Sequence, residues 1–135
     1  MIRSKSRKSP RKVLIKKLDV VFSKVIRLRD SVNGENTCIT CGDIFTVKKL
    51  DAGHFMTRDS MATRYDERNV QPQCISCNRF HGGRQAEFGI ELDKKYGEGT
   101  AKGLIEKSHT IKKYYAEELS ELLSHYKERL KLLEE

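Results

Sequence analysis

Apolar residues recur at helical spacing in several stretches of the chain. From Arg11 to about Ser31, Leu14, Leu18, Val21, Phe22, Val25 and Leu28 fall on one face and predict an amphipathic helix. Asn33-Gly34 is a stop. Residues 84–96 place Phe88 and Leu92 four apart, and Tyr96-Gly97 reads as a helix end, because glycine accepts a left-handed conformation there. A short helix is expected around Ala101 to Lys107. From about His109 to Glu134, Leu119, Leu122, Leu123, Tyr126, Leu130 and Leu133 form a stripe with Glu and Lys on the other faces, the pattern of one long helix. Two readings of that stripe stand side by side. It folds back on the helix of residues 11–31, or it is the contact of a two-fold homodimer.

Between these stretches the pattern is shorter and more polar. Cys38-Ile39-Thr40-Cys41-Gly42 reads as a zinc knuckle, with Gly42 relieving the tight turn. Ile44 to Val47 and Leu50 to Met56 read as the two strands of a hairpin. Thr57 to Gln73 reads as a long polar loop carrying Asp59, Arg64, Asp66, Glu67, Arg68 and Asn69. Cys74 and Cys77 then open a helix that runs irregularly towards Gly82-Gly83. Knuckle, hairpin and helix in this order predict an α+β fold built on a treble-clef zinc module, flanked by N- and C-terminal helices.

Composition narrows the class. The longest charge-free run is the ten residues Asn69 to Asn78, all polar-interrupted, whereas a membrane-spanning helix needs ~20 apolar residues. No membrane association is expected, nor a secretory signal, since the basic N-terminus lacks an apolar stretch. The expected location is cytoplasmic. The net charge is +8, and its position is informative. Residues 1–17 hold eight basic groups and no acid, while the remaining 118 residues carry 19 basic and 19 acidic groups. The excess sits in residues 1–17, of which 1–10 are an arm expected to be disordered. Arg3, Lys5, Arg7, Lys8, Arg11 and Lys12 are candidate phosphate contacts on DNA, joined by Arg58 and Arg79 nearer the centre. A solubilising tail is the plainer alternative.

The four cysteines form two Cys-x-x-Cys pairs, Cys38/Cys41 and Cys74/Cys77, with 32 residues between them. Each turn aims two thiolates at one ion, which suits a tetrahedral structural Zn2+. Disulfides fit poorly with a chain lacking a secretory signal. Around this staple lie His54, Asn69, Asn78 and His81. Asn78 and His81 are three apart and would share a helix face. A neutral imidazole beside a divalent ion can deprotonate water for attack on a phosphodiester. Packed structural roles for His54 and His81, and a helix-capping role for Asn78, are the simpler readings.

Three spaced segments carry a resemblance: Cys38-x-x-Cys41-Gly42, Ala52-Gly53-His54-Phe55, and Arg68-Asn69-Val70-x-x-Gln73-Cys74-x-x-Cys77-Asn78-Arg79-Phe80. Together they resemble an HNH endonuclease core, and more closely the bacteriophage lambda NinG (Rap) recombination family, over about residues 30–105. The resemblance implies a ββα-metal active site. In it His54 would be the general base, Asn69 would orient His54 through backbone contacts, and Asn78 would stand at a ligand position with His81 near a second. Many HNH nucleases carry an acidic or histidine ligand just before the base, where this chain has Gly53. Asp51, two residues earlier, is the candidate carboxylate. The implied cofactors are structural Zn2+ and catalytic Mg2+ or Mn2+.

The expected organisation is an arm over 1–10, a zinc-stapled nuclease domain with its N-terminal helix over 11–107, and a C-terminal helix over 108–135. The expected function is metal-dependent endonucleolytic cleavage of branched recombination DNA of the Holliday-junction type. The alternative is a non-catalytic zinc module that binds nucleic acid or assembles a complex.

Overall fold

The computed structural model describes residues 9–135. The basic side chains of Arg3, Lys5, Arg7 and Lys8 lie outside the described residues. The first helix, α1 (Pro10–Leu28), begins earlier than the hydrophobic pattern indicates. Pro10 takes the first helical turn, where its missing N–H costs nothing, and the Ser9 hydroxyl accepts from the Lys12 amide at 3.3 Å. The helix ends at Leu28, and Asp30, Asn33 and Gly34 at positive φ turn the chain back.

Strands β1 (Glu35–Thr37) and β2 (Ile44–Thr46) pair antiparallel and hold the first Cys pair in the loop between them. A single turn of 3-10 helix follows. Strand β3 (Leu50–His54) then pairs antiparallel with β4 (Val70–Cys74), with Leu50 opposite Cys74 and His54 opposite Val70. The expected hairpin of Ile44–Val47 with Leu50–Met56 is therefore not formed. Each of those segments pairs with a strand that the hydrophobic pattern does not reveal. The expected loop of Thr57 to Gln73 also contains the short helix α2 (Met61–Arg64) and most of β4.

A π-helical turn, Ser76–Phe80, carries the chain past the second Cys pair into α3 (Gln85–Tyr96) and α4 (Thr100–Ser108). Gly97 ends α3 at φ +116°, as its sequence predicts. Helix α5 (Ala116–Leu133) starts later than expected, because residues 109–110 turn the chain at the end of α4 and 111–115 form no regular structure.

The main apolar cluster joins α1 to α5. Leu18, Phe22, Val25 and Ile26 meet Leu119, Leu123 and Tyr126, with Tyr65 and Val70 from the connecting segments. Phe22 meets the Tyr126 ring edge-on at 4.9 Å between centroids. The leucine stripe thus folds back within the chain. Leu119, Leu123 and Tyr126 of the stripe are buried there, Leu122 and Leu130 are half-buried against the same cluster, and Leu133 is exposed beside Leu132. A second cluster holds the cysteines with Leu50, and a third packs Phe55 on Phe88, Leu92 and Leu104. Among the described residues no helix is long and apolar enough to cross a membrane.

Candidate functional site

The β1–β2 loop is shaped as a metal knuckle. The Gly42 amide donates to the Cys38 carbonyl at 3.0 Å with Gly42 at φ +77°, and the Cys38 amide donates to the Asp43 carbonyl at 2.9 Å. The Ile39 amide donates to the Pro72 carbonyl at 2.9 Å and fastens the knuckle to β4. Cys74 at the end of β4 and Cys77 in the π turn complete a cluster of four sulfurs that all lie within 4.8 Å of one another. Cys41 Sγ and Cys74 Sγ are 3.9 Å apart. A zinc–sulfur bond of ~2.3 Å gives a tetrahedron edge of about 3.8 Å, so the spacing fits such an ion. All four thiols are free, and all but Cys41 are buried. Burial raises the Cys38 thiol, but the Cys74 backbone, the Thr40 hydroxyl and neighbouring amides outweigh it and bring it to about 6. Burial pushes Cys41 up to about 12, and the adjacent Cys38 sulfur adds to that. The cluster can hold a metal such as zinc, which would neutralise thiolates that otherwise repel one another.

A cleft of about 480 Å3 lies between α1, β3 and the π turn. It is lined by Asp19, Phe22 and Ser23 of α1, Asp51, Ala52 and His54 of β3, Thr57 and Arg58, then Asn78, Arg79, Gly82, Gly83 and Gln85. Burial, followed by the positive charge of Arg58, lowers His54 to about 4, against the opposing pull of Asp19 and the Ala52 carbonyl. The imidazole is therefore neutral near pH 7 and able to accept a proton. Asp51 accepts from Asn78 Nδ2 at 3.0 Å and from both prongs of the Arg79 fork at 2.9 Å. Burial raises its carboxyl, but Arg79 and Asn78, with Arg27 beyond them, hold it below the usual range.

The structure thus brings His54, Asp51, Asn78, Arg58 and Arg79 to one cleft. It does not bring His81 there. The π turn ends at Phe80, His81 leaves it at φ −123°, and its side chain is exposed outside the cleft. Asn69 is fully buried beside the end of β3. Its side chain accepts from the Met56 amide at 2.8 Å and donates to the Met56 carbonyl at 3.0 Å, while its carbonyl accepts from the Phe55 amide at 2.8 Å. Asn69 therefore clamps the backbone just past His54. Arg11 donates to the Tyr114 carbonyl at 2.7 Å, so its guanidinium is engaged in fastening α1 to the approach to α5, and Lys12 is exposed. Among the described residues, no second group of three His, Cys, Asp or Glu side chains converges as the cysteines do.

Two residues, Asp19 in the cleft wall and Gln73 behind it, have roles that the sequence reading does not assign. Asp19 accepts from Arg64 Nε at 3.0 Å and the Tyr65 hydroxyl at 2.9 Å, which neutralises it and ties α1 to α2. It is the single acid in the first 29 residues, a departure visible in the sequence. Gln73 is fully buried and donates to the Gly83 carbonyl at 2.7 Å and the Thr40 hydroxyl at 3.1 Å, joining cleft lip to knuckle. Its Oε1 would lie 2.2 Å from a Cβ on Gly53. This explains the absence of a side chain before His54, since Gln73 fills that place.

Comparison with known proteins agrees over nearly the whole chain. A family model described as "Bacteriophage Lambda NinG protein" matches residues 2–135. Protein ninG of Escherichia phage lambda is 32% identical over 123 residues, covering 90% of this chain and 58% of the relative. Protein ninG of Escherichia phage 933W is also 32% identical, with 90% and 59% covered, as is that of Salmonella phage P22, with 90% and 58%. The chain therefore spans under three fifths of the length of these curated relatives. No solved structure matches the chain at a significant level. On the match over residues 2–135, the chain belongs to the bacteriophage lambda NinG family.

Proposed function

We propose that this chain is a metal-dependent DNA endonuclease of HNH type, cutting branched recombination DNA with His54 as general base. The observation that carries the reading is the neutral imidazole of His54, set in one cleft with the Asp51 carboxylate, Asn78 and two arginines. Strand β3, the π turn and Gln85 at the start of α3 line that cleft, and β4 pairs with β3 beside it. In this reading a structural Zn2+ on the four cysteines staples the frame.

In this reading a catalytic Mg2+ or Mn2+ would be held by Asp51 and Asn78 once Arg79 releases the carboxylate. Such ions take one or two protein carboxylate or carbonyl oxygens and complete their shell with water and substrate phosphate. Asp51 and the Asn78 side-chain carbonyl would supply the protein share, without His81. The ion would polarise the phosphoryl group and stabilise the leaving alkoxide. His54 takes the proton from the attacking water, and the Asn69 clamp on Met56 fixes the strand end that carries it. Arg79, which now forks onto Asp51, would exchange that carboxylate for the phosphate. Arg58, 61% exposed at the side chain, stands beside it.

Helix α1 supplies a second support. Lys12, Lys16, Ser23 and Arg27 follow one stripe beside the cleft-lining Asp19, and Lys17 and Lys24 are exposed on the adjoining face. A rigid basic rail thus leads to the cleft, suited to a phosphate backbone.

A nicking assay on duplex and four-way-junction DNA with Mg2+ or Mn2+ tests the reading. His54→Ala is expected to lose about 10²–10⁴-fold in cleavage while still binding DNA. Wild-type protein that binds junctions and never cuts would establish the rival, a non-catalytic zinc module, which the Arg79–Asp51 pairing favours.

A further inference from the structure

We propose that Phe80 is a stacking platform for an unpaired DNA base at the lip of the cleft. The inference rests on the cleft being a DNA site. Of the five phenylalanines, Phe22, Phe55 and Phe88 are buried and Phe45 packs on the cysteine cluster. Phe80 is 77% exposed and belongs to none of the three apolar clusters. A single exposed apolar side chain is ordinary on a protein surface. Four features of its surroundings set Phe80 apart.

It ends a π-helical turn, a distortion that recurs at functional sites. The residue before it, Arg79, and the glycines two and three after it all line the cleft. The segment from Arg68 to Ala86 carries three arginines and no acid, so no like charge on it opposes an approaching phosphodiester. Gly82 stands at φ +61° with open space where a side chain would be, which leaves backbone beside the ring free for a sugar and base. A nucleotide whose phosphate meets Arg79 therefore has an aromatic face within one residue for its base. Bases inside a duplex are stacked on one another and present no such face. The ligand is an unpaired nucleotide, as in a single strand or at the branch of a fork, and its recognition is indifferent to sequence because every base has a π-face.

The chain contains no tryptophan, so Phe80→Trp introduces a unique fluorophore at the site. The full chain carrying Phe80→Trp should show saturable quenching on titration with a single-stranded oligonucleotide or a forked DNA, and little with blunt duplex. Phe80→Ala, made at an exposed position and checked by its melting curve, should bind the single strand roughly 5- to 100-fold more weakly, and blunt duplex as wild type does. Unchanged Trp emission at oligonucleotide concentrations that saturate anisotropy of labelled DNA would overturn the proposal. So would equal single-strand affinity for Phe80→Ala. Both readouts are independent of cleavage. Quenching by a protein that never nicks DNA would leave the platform standing and remove the nuclease reading. Nicking without quenching would do the reverse.

Discussion

Gly53 and Gln73 occupy one place between them. A Cβ at Gly53 would lie 2.9 Å from Gln73 Cβ, which cannot swing away as the amide end can. Gly53→Ala should therefore destabilise by about 1–3 kcal/mol in urea unfolding, the usual cost of overpacking. In a Gln73→Gly background, which removes that Cβ as well as the amide, the same change should cost far less, and a double-mutant cycle would show the coupling. At His54 the expected effect is on pH dependence. The unfolded chain takes up this proton near 6.5 and the native protein only near 4. Between those values the unfolded state holds more protons, so stability is full above 6.5 and falls as the pH drops towards 4. The loss is up to about 3 kcal/mol from this one group. His54→Gln should flatten that part of the curve, which thermal melts across the window would reveal.

At the scale of elements, α1 serves two purposes on its two faces. Its buried face meets α5, and its exposed face carries the lysines. Replacing Lys12 and Lys16 by Ala should leave the melt unchanged and reduce the slope of log K against log[salt] by up to ~2 for DNA binding. Leu119→Ala should cost about 2–5 kcal/mol, since the side chain is fully buried in the α1–α5 contact. Truncation after Thr110 should unfold the chain, seen as loss of the cooperative melt. The helices were legible in the sequence because their apolar faces are long enough to show a period. The cysteine cluster was legible because its spacing is its chemistry. Strand β4 was not. Gln71, Pro72 and Gln73 look like loop, yet Gln71 and Gln73 are fully buried. Their Nε2 groups donate to Tyr96, Arg68, Gly83 and Thr40, partners that only the folded chain supplies, while Gln73 Oε1 has no partner. Pro72 is tolerated because β4 pairs on one side only. The cleft was half legible. His54, Asp51 and Asn78 could be named, but the Arg79 fork and Asp19 come from elements far apart in the chain.

For the whole molecule, the four-cysteine cluster links pieces that would otherwise share little. The cysteine cluster brings the β1–β2 loop, β4 and the π turn together around four sulfurs and few apolar groups. Removing Zn2+ with a chelator, or Cys41→Ser, should therefore collapse the cooperative transition, and one zinc per chain should be recovered by elemental analysis. The α1–α5 pairing has a kinetic corollary. Leu28 and Ala116 bound nearly the whole of the intervening fold, so the two helices that build the largest apolar cluster must find each other across the longest loop in the chain. Such a search is slow, because the entropy of closing that loop is lost before any packing is gained. A metal ion that first cinches residues 38 to 77 shortens the effective loop. Refolding followed by stopped flow should be faster with zinc present than with zinc added afterwards, and the terminal helices should dock last.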